Sequence, residues 1–129
     1  MATEIKTYRI KDFIKVTKTG EIDLDRSREM IREIAAAAAH YDDHNILFDL
    51  RETVVTTASM GDLLQLAMDM ALHKSLFQKK IANVIPDDDE RLLIAENFKA
   101  CLVIQGFEYD YFTDFESAIE WLSETTQLS

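Results

Sequence analysis

Residues 45–69 read NILFDLRETVVTTASMGDLLQLAMD, and this stretch decides the fold class. The apolar run at 46–50, interrupted only by Asp49 and flanked by polar residues, is typical of a short buried strand. A polar turn follows, and Ser59 with Asp62 three residues later predicts the start of a helix. We therefore predict that Asp49 ends a central strand. Polar side chains then gather at its carboxyl end, where open α/β sheets bind ligands and partners.

The helix that begins at Ser59 is more apolar than one buried face requires. Its predicted core-facing residues are Met60, Leu63, Leu64, Ala67, Met70 and Ala71. Three further apolar residues flank this stripe, namely Leu66, Met68 and Leu72, and a narrow polar strip holds Asp62, Gln65, Asp69 and His73. Such a helix is either deeply buried or presents a second apolar surface to a partner. The sequence leaves both interpretations open.

The rest of the chain alternates short strands with amphipathic helices. Residues 5–19 alternate apolar and polar side chains and predict one or two half-exposed strands, with Gly20 as a turn. The other predicted elements are a helix to about Tyr41, a strand at 81–85, a helix ended by Gly106, a strand at 108–112 and a helix opened by a Thr113–Glu116 capping box. The order ββαβαβαβα predicts a single α/β domain with a mixed, mainly parallel sheet and crossover helices.

Composition limits the classes of partner. The 129 residues suffice for one domain with a substantial core. The net charge of −10 disfavours nucleic acid and anionic membranes, whose phosphates would be repelled. A single cysteine, Cys101, and the lack of a leader or a long apolar run predict a cytoplasmic protein without a membrane span.

Catalytic and metal-binding patterns are weak. His40 and His44 have the i, i+4 spacing of a helical metal pair, but a third ligand is not evident, so we predict no metal and no cofactor. The sequence contains no G-x-S-x-G elbow, P-loop or G-x-G-x-x-G motif. Asp49 has no companion that would assemble a nucleophile, a base and an oxyanion donor. We therefore predict that the chain is not an enzyme.

Three stretches of the chain resemble the STAS and anti-sigma-factor-antagonist superfamily, and most closely its small stand-alone SpoIIAA-like proteins. They are NILFDLRETVVTTASMGDLLQLA, KKIANVIPDDDERLLIAENF and YDYFTDFESAIEWL. In phosphorylated members, an Asp-Ser-Ser-Gly-type turn precedes the second helix, and one serine accepts phosphate. The resemblance implies a regulatory turn containing Asp49, Thr57 and Ser59. Ala58 stands at the acceptor position, which argues against that phosphorylation switch.

Two hypotheses follow for function. The first is a regulatory or protein-interaction module of STAS-like type, which uses the turn between Thr53 and Gly61 and the apolar helix. Its predicted partner is another protein or a second copy in a homodimer, bound through Leu66, Met68, Asp69 and Leu72. The second is a protein that binds a small apolar molecule, a lipid or an apolar metabolite, in a cavity lined by the same methionine and leucine surplus. An enzyme is the least favoured class.

Overall fold

The computed structural model describes residues 13–38, 44–55, 58–74 and 80–123. Strands and helices alternate strictly along this part of the chain. In order they are β1 (Phe13–Ile22), α1 (Leu24–Ala38), β2 (Asn45–Val55), α2 (Met60–Ala71), β3 (Ile81–Val84), α3 (Asp89–Ile104), β4 (Tyr109–Phe112) and α4 (Phe115–Ser123).

The four strands form one parallel sheet in the order β1-β2-β3-β4. Ile46 of β2 pairs with Ile14 on one side and with Ile81 on the other. Beyond Asp49, β2 pairs only with β1, so these two long strands extend as a ribbon past the short strands β3 and β4. The α/β class with a parallel sheet and crossover helices is therefore confirmed.

The two faces of the sheet are covered by different helices. Side chains alternate along a strand, so Ile46, Phe48 and Leu50 of β2 face one side and Leu47 faces the other. The first side packs against α1, α2 and α3 in the larger core cluster. Leu47 packs with residues of α4 in a smaller cluster. Three successive crossovers of the same hand between neighbouring strands place their helices on one face, and α4 then closes the opposite face.

The N-terminal prediction needs one correction. Gly20 was predicted to be a turn, which is wrong, because Gly20 lies inside the continuous strand β1. Its φ of +88° and a register shift between Thr17 and Thr19 show an irregularity that the strand absorbs without ending. The additional strand predicted within residues 5–12, which would make the sheet mixed, and the predicted helix end at Tyr41 lie outside the described residues.

Several helix ends follow the predicted capping chemistry. Ser59 is the N-cap of α2, and Gly106 follows the C-cap of α3 with a φ of +88°. The capping box predicted for α4 is wrong, because α4 begins one residue later than expected. Its cap is Asp114, whose carboxylate accepts hydrogen bonds from the backbone N–H and the hydroxyl of Ser117. Carboxylates suit this position since they satisfy free amides and favour the helix dipole.

Candidate functional site

Asp49 lies in the middle of β2, and the prediction that it ends the strand is wrong. The strand continues to Val55, so Thr53 also belongs to β2 and not to a turn. The buried Asp49 carboxylate accepts hydrogen bonds from Nε (2.9 Å) and Nη2 (2.8 Å) of Arg51. Hydrogen bonding to Arg51 holds the pKa of Asp49 below its usual value. Asp49 is therefore a paired, ionised carboxylate, which suits a structural role better than proton transfer.

Ser59 begins α2 with a reciprocal capping box. Its hydroxyl accepts a hydrogen bond from the backbone N–H of Asp62 (3.1 Å), and the Asp62 carboxylate accepts one from the backbone N–H of Ser59 (3.4 Å). The Asp49 side chain is on the α4 face of the sheet, whereas α2 packs on the other face. The structure therefore does not bring Asp49 and Ser59 together. Thr57, the third residue of the predicted regulatory turn, lies outside the described residues.

The buried face of α2 differs from the predicted one. It consists of Leu63, Leu66, Ala67 and Met70. Leu66, predicted to lie on an interaction surface, is only 8% exposed and belongs to the core. Leu64, predicted to be in the core, is 47% exposed. The exposed apolar stripe of α2 follows i, i+4 spacing and consists of Met60, Leu64, Met68 and Leu72.

Helix α3 extends this exposed apolar stripe. Helices α2 and α3 pack side by side and run in the same direction, because each connects two parallel strands. Met60 and Leu93 line one shallow pocket at their N-terminal ends. At the other end, Lys74 donates a hydrogen bond from Nζ to the carbonyl oxygen of Gln105 (2.7 Å). The "α2–α3 surface" denotes the six exposed side chains Met60, Leu64, Met68, Leu72, Leu93 and Ile104.

Asp69, also predicted to lie on the interaction surface, links two helices instead. Its carboxylate accepts hydrogen bonds from the Arg28 guanidinium of α1 and from Nε2 of Gln65 (3.1 Å). The hydrogen bond from Arg28 is the main cause that lowers the pKa of Asp69. Asp69 thus lies at the junction of α1 and α2 and not among the exposed apolar side chains.

A cavity of about 120 Å³ lies between the sheet and the three helices of the larger core. Its walls are mostly apolar and include Phe48, Leu63, Leu66, Ile94 and Phe98. Its polar lining includes Asn83, Arg91 and Tyr109. An apolar cavity with a few convergent polar groups is the usual form of a small-molecule site.

Arg91 is one of the polar residues of this cavity that sequence reasoning missed. It is only 9% exposed, and burial lowers its pKa. Its Nη1 donates to the carbonyl oxygen of Thr53 (2.8 Å) and its Nη2 to the Thr53 hydroxyl (3.1 Å). A signal existed, because Arg91 shares one helical face with the buried residues Ala95 and Leu102. The aspartates that precede it in the sequence favoured an interpretation in terms of the helix dipole alone.

The described part of the chain contains neither a cluster of metal ligands nor a membrane-spanning helix. No group of three or more His, Cys, Asp or Glu side chains there is arranged to hold a metal ion. His44 is described, whereas His40, its predicted companion, is not. Within the same residues, every helix is too short or too polar to cross a bilayer.

Comparison with known proteins identifies the family. The model of the SpoIIAA-like family matches residues 13–123, which include every strand and helix described above. The chain therefore belongs to the SpoIIAA-like family, as its STAS-type resemblance implied. This membership assigns it to a class of regulatory or interaction modules that are generally not enzymes. Searches of the curated proteins and of the solved structures found no match.

Proposed function

We propose that the chain is a STAS-type protein-interaction module whose α2–α3 surface binds a second copy of itself. The observation that carries this proposal is the presence of seven large exposed apolar side chains on two adjacent helices, namely the six of the α2–α3 surface and Val103. Soluble proteins rarely leave a contiguous apolar patch uncovered unless it binds something. Symmetric dimers are the commonest assemblies, and a helical pair of this kind offers a self-complementary patch.

The distribution of charge supports a second copy as the occupant. Asn97 and Ala100, which lie between Leu93 and Ile104 along the exposed face of α3, are uncharged, whereas the exposed Glu90 lines the same shallow pocket as Met60 and Leu93. Two copies can therefore meet through a mainly apolar surface with a carboxylate at its edge, although each carries a net charge of −10. The remaining repulsion is long-range and is screened by salt. Self-association should then strengthen as the salt concentration rises, whereas binding to a basic partner would weaken.

Sedimentation velocity over a range of protein concentrations, at low and high salt, tests this proposal. We expect a dimer whose affinity rises with salt and falls by about tenfold or more in Leu64→Glu and in Met68→Glu, because each change buries a charge at the contact. Val54→Glu is the matched control, since Val54 is equally apolar and 62% exposed but lies on β2. A wild-type chain that stays monomeric at the highest concentration would contradict the proposal.

Ser59 is the proposed point of regulation. Its exposed hydroxyl immediately precedes Met60, at the N-terminal edge of the α2–α3 surface. A phosphate there would be favoured by the free amides of the helix N-terminus and would add negative charge beside the contact. Ser59→Asp adds a smaller charge at the same place and should weaken the dimer in the same sedimentation experiment. An unchanged dimer affinity would remove Ser59 from the proposal.

The proposed compartment is the cytoplasm. Cys101, the single cysteine of the sequence, is a buried free thiol. A reducing compartment preserves such a thiol, whereas secreted proteins of this size commonly use their cysteines in disulfides. Fractionation of cells that produce the native protein should recover it with the cytosol, and recovery outside the cell would contradict this placement.

Small-molecule binding is a second candidate function, and the cavity beneath α2 favours it. A volume of about 120 Å³ with an apolar lining is more than a packed core normally leaves. Native mass spectrometry of protein purified without detergent should reveal a retained molecule or an added one. A chain that retains nothing and takes up no apolar compound would count against this candidate while leaving the dimer proposal intact.

A further inference from the structure

We propose that the cavity binds a small monocarboxylic acid, with its apolar body inside the cavity and its carboxylate on Arg91. This inference rests on the second candidate function and adds the chemical class of the ligand. Three properties of the cavity lead to it, namely a buried cation whose side-chain hydrogen bonds go to neutral groups of the described residues, an incompletely bonded amide and a small apolar volume.

The guanidinium of Arg91 is a buried cation bonded to neutral groups. Both of its side-chain hydrogen bonds go to Thr53, one to the carbonyl oxygen and one to the hydroxyl, which itself donates to the carbonyl oxygen of Leu50. Among the described residues no carboxylate forms a salt bridge with it. The nearby Asp88 carboxylate accepts from the backbone N–H of Arg91 as the α3 cap. Because a guanidinium has five N–H donors, three remain for a bidentate acid.

Asn83 and Tyr109 supply a second polar anchor in the same cavity. Nδ2 of Asn83 donates to the Tyr109 hydroxyl (2.7 Å), while Oδ1 of Asn83 is buried without a partner. Reversing the amide would leave Nδ2 unpaired instead, so this pair has spare hydrogen-bonding capacity in either orientation. Burial raises the pKa of Tyr109, which keeps its hydroxyl a proton donor. Asn83, Tyr109 and Arg91 all line this one cavity.

The volume of the cavity restricts the apolar part of the ligand. An apolar protein cavity of about 150 Å³ holds a benzene molecule. The present cavity, at about 120 Å³, therefore suits a body of roughly six carbon atoms and is too small for a long acyl chain. A small aromatic acid or a short-chain fatty acid meets both the volume and the charge requirement.

The cavity has a way out at the carboxyl edge of the sheet. There its lining includes Asp23, Ser27, Ala58 and Asp62, which are all partly exposed. The two carboxylates at this mouth already accept hydrogen bonds from backbone amides of the adjoining helix starts. The net negative charge of the chain opposes an approaching anion, but salt screens that repulsion over about 10 Å at 0.1 M. Salt screens the attraction between the buried guanidinium of Arg91 and the carboxylate of the ligand far less.

Calorimetric titration of the full chain with matched acids and alcohols tests the inference. The probes are benzoate and hexanoate, compared with benzyl alcohol and hexanol, which have the same apolar bodies without the charge. We expect the acids to bind at least about tenfold more tightly than the alcohols, because only the acids pair with Arg91. Chemical-shift changes at Asn83, Arg91 and Tyr109 should accompany acid binding and locate it in the cavity.

Substitutions of Arg91 separate the charge from the cavity. Arg91→Met should abolish the preference for acids while alcohols still bind, and Arg91→Lys should weaken acid binding because the bidentate geometry is lost. Arg32→Met, which removes an exposed arginine of α1, should leave both classes of probe unaffected. If Arg91→Met does not fold, the comparison of acids and alcohols on the wild-type chain still tests whether the cavity prefers a carboxylate.

The outcomes distinguish this inference from the function on which it rests. Alcohols that bind as tightly as acids would overturn the role of Arg91 and leave small-molecule binding standing. Absence of binding by all four probes would overturn both. Acid binding without shifts at the three polar residues would place the acid elsewhere and would also overturn the inference.

Discussion

The Asp69 carboxylate of α2 and the Arg28 guanidinium of α1 form a salt bridge, with 2.5 Å between Oδ2 and Nε. Both side chains are partly buried where the two helices meet, and Gln65 also holds the carboxylate in place. This pair fixes α1 beside α2 and therefore also helps to define one wall of the cavity, which is lined by residues of both helices.

We expect Asp69→Asn to lower the melting temperature by a few degrees at neutral pH, because a partly exposed ion pair contributes modestly to stability. The folded-state pKa of Asp69 is lowered, so its contribution is present above the unfolded value of about 3.9 and disappears as the pH falls through the folded-state pKa. Thermal unfolding across this acidic range should show the difference between wild type and variant shrinking. Glu33→Gln, in the exposed pair with Lys18, is the control and should have a smaller effect.

Two nearby leucines of α2 should differ strongly in what their truncation costs. Leu66→Ala removes a buried side chain and should cost about 2–5 kcal/mol, because the core cannot close completely around the space left behind. Leu64→Ala changes an exposed side chain and should alter stability by no more than about 0.5 kcal/mol. Urea unfolding at low protein concentration measures both. Equal losses would mean that the buried face of α2 is assigned incorrectly.

The capping box at Ser59 should make a measurable contribution to stability. Ser59→Ala leaves the backbone N–H of Asp62 without its acceptor and should cost about 1 kcal/mol in urea unfolding. Ser59→Asp should retain most of the stability, since aspartate is an equally good N-cap and favours the helix dipole. A loss in Ser59→Asp as large as that in Ser59→Ala would contradict the capping role.

The same substitution at two glycines should have opposite signs. Gly106→Ala should destabilise the fold by about 1–2 kcal/mol, because the φ of +88° is unfavourable for any residue with a Cβ. The added Cβ would also lie 2.6 Å from Nζ of Lys74, which must then move. Gly61→Ala, inside α2 and with only an ordinary 3.6 Å contact to Oγ of Ser59, should stabilise by about 0.5–1 kcal/mol. Denaturant unfolding of both variants tests the contrast.

Sequence reasoning succeeded where one local signal had a single explanation. Ser59 with Asp62 predicted a helix start, and Gly106 predicted a helix end. It failed where the pattern allowed two readings. In α2, apolar residues occupy adjacent faces, so periodicity alone could not decide whether Leu64 or Leu66 faces the core.

The predicted end of β2 failed for a different reason. The apolar run stops at Leu50, and the following polar residues suggested a turn. The strand nevertheless continues to Val55, because β1 remains beside it and supplies backbone partners on one side. Gly20 was misassigned at the same ribbon, where a glycine with positive φ is accommodated inside β1. In both cases the length of the strand depends on its pairing with a strand that is distant in sequence. The residue pattern of one strand alone does not show that pairing.

The cavity could not be predicted from the sequence because residues of seven strands and helices and of several loops enclose it. Arg91 and Asn83 come from α3 and β3, and only the fold brings them to one space. The periodicity that places Arg91 on the buried face of its helix was available. Its significance depended on knowing that the surrounding volume is incompletely filled.

Among the described residues, α4 is the helix that covers the second face of the sheet. Leu47, Ala82 and Val84 are buried there against α4, which begins only after β4 is complete. Without α4, these side chains would lose the apolar contacts of Ala118, Ile119 and Leu122. A chain that stops at Phe112 should therefore aggregate, which light scattering during refolding would show. Premature termination near the end should be as damaging to this protein as the loss of a central strand.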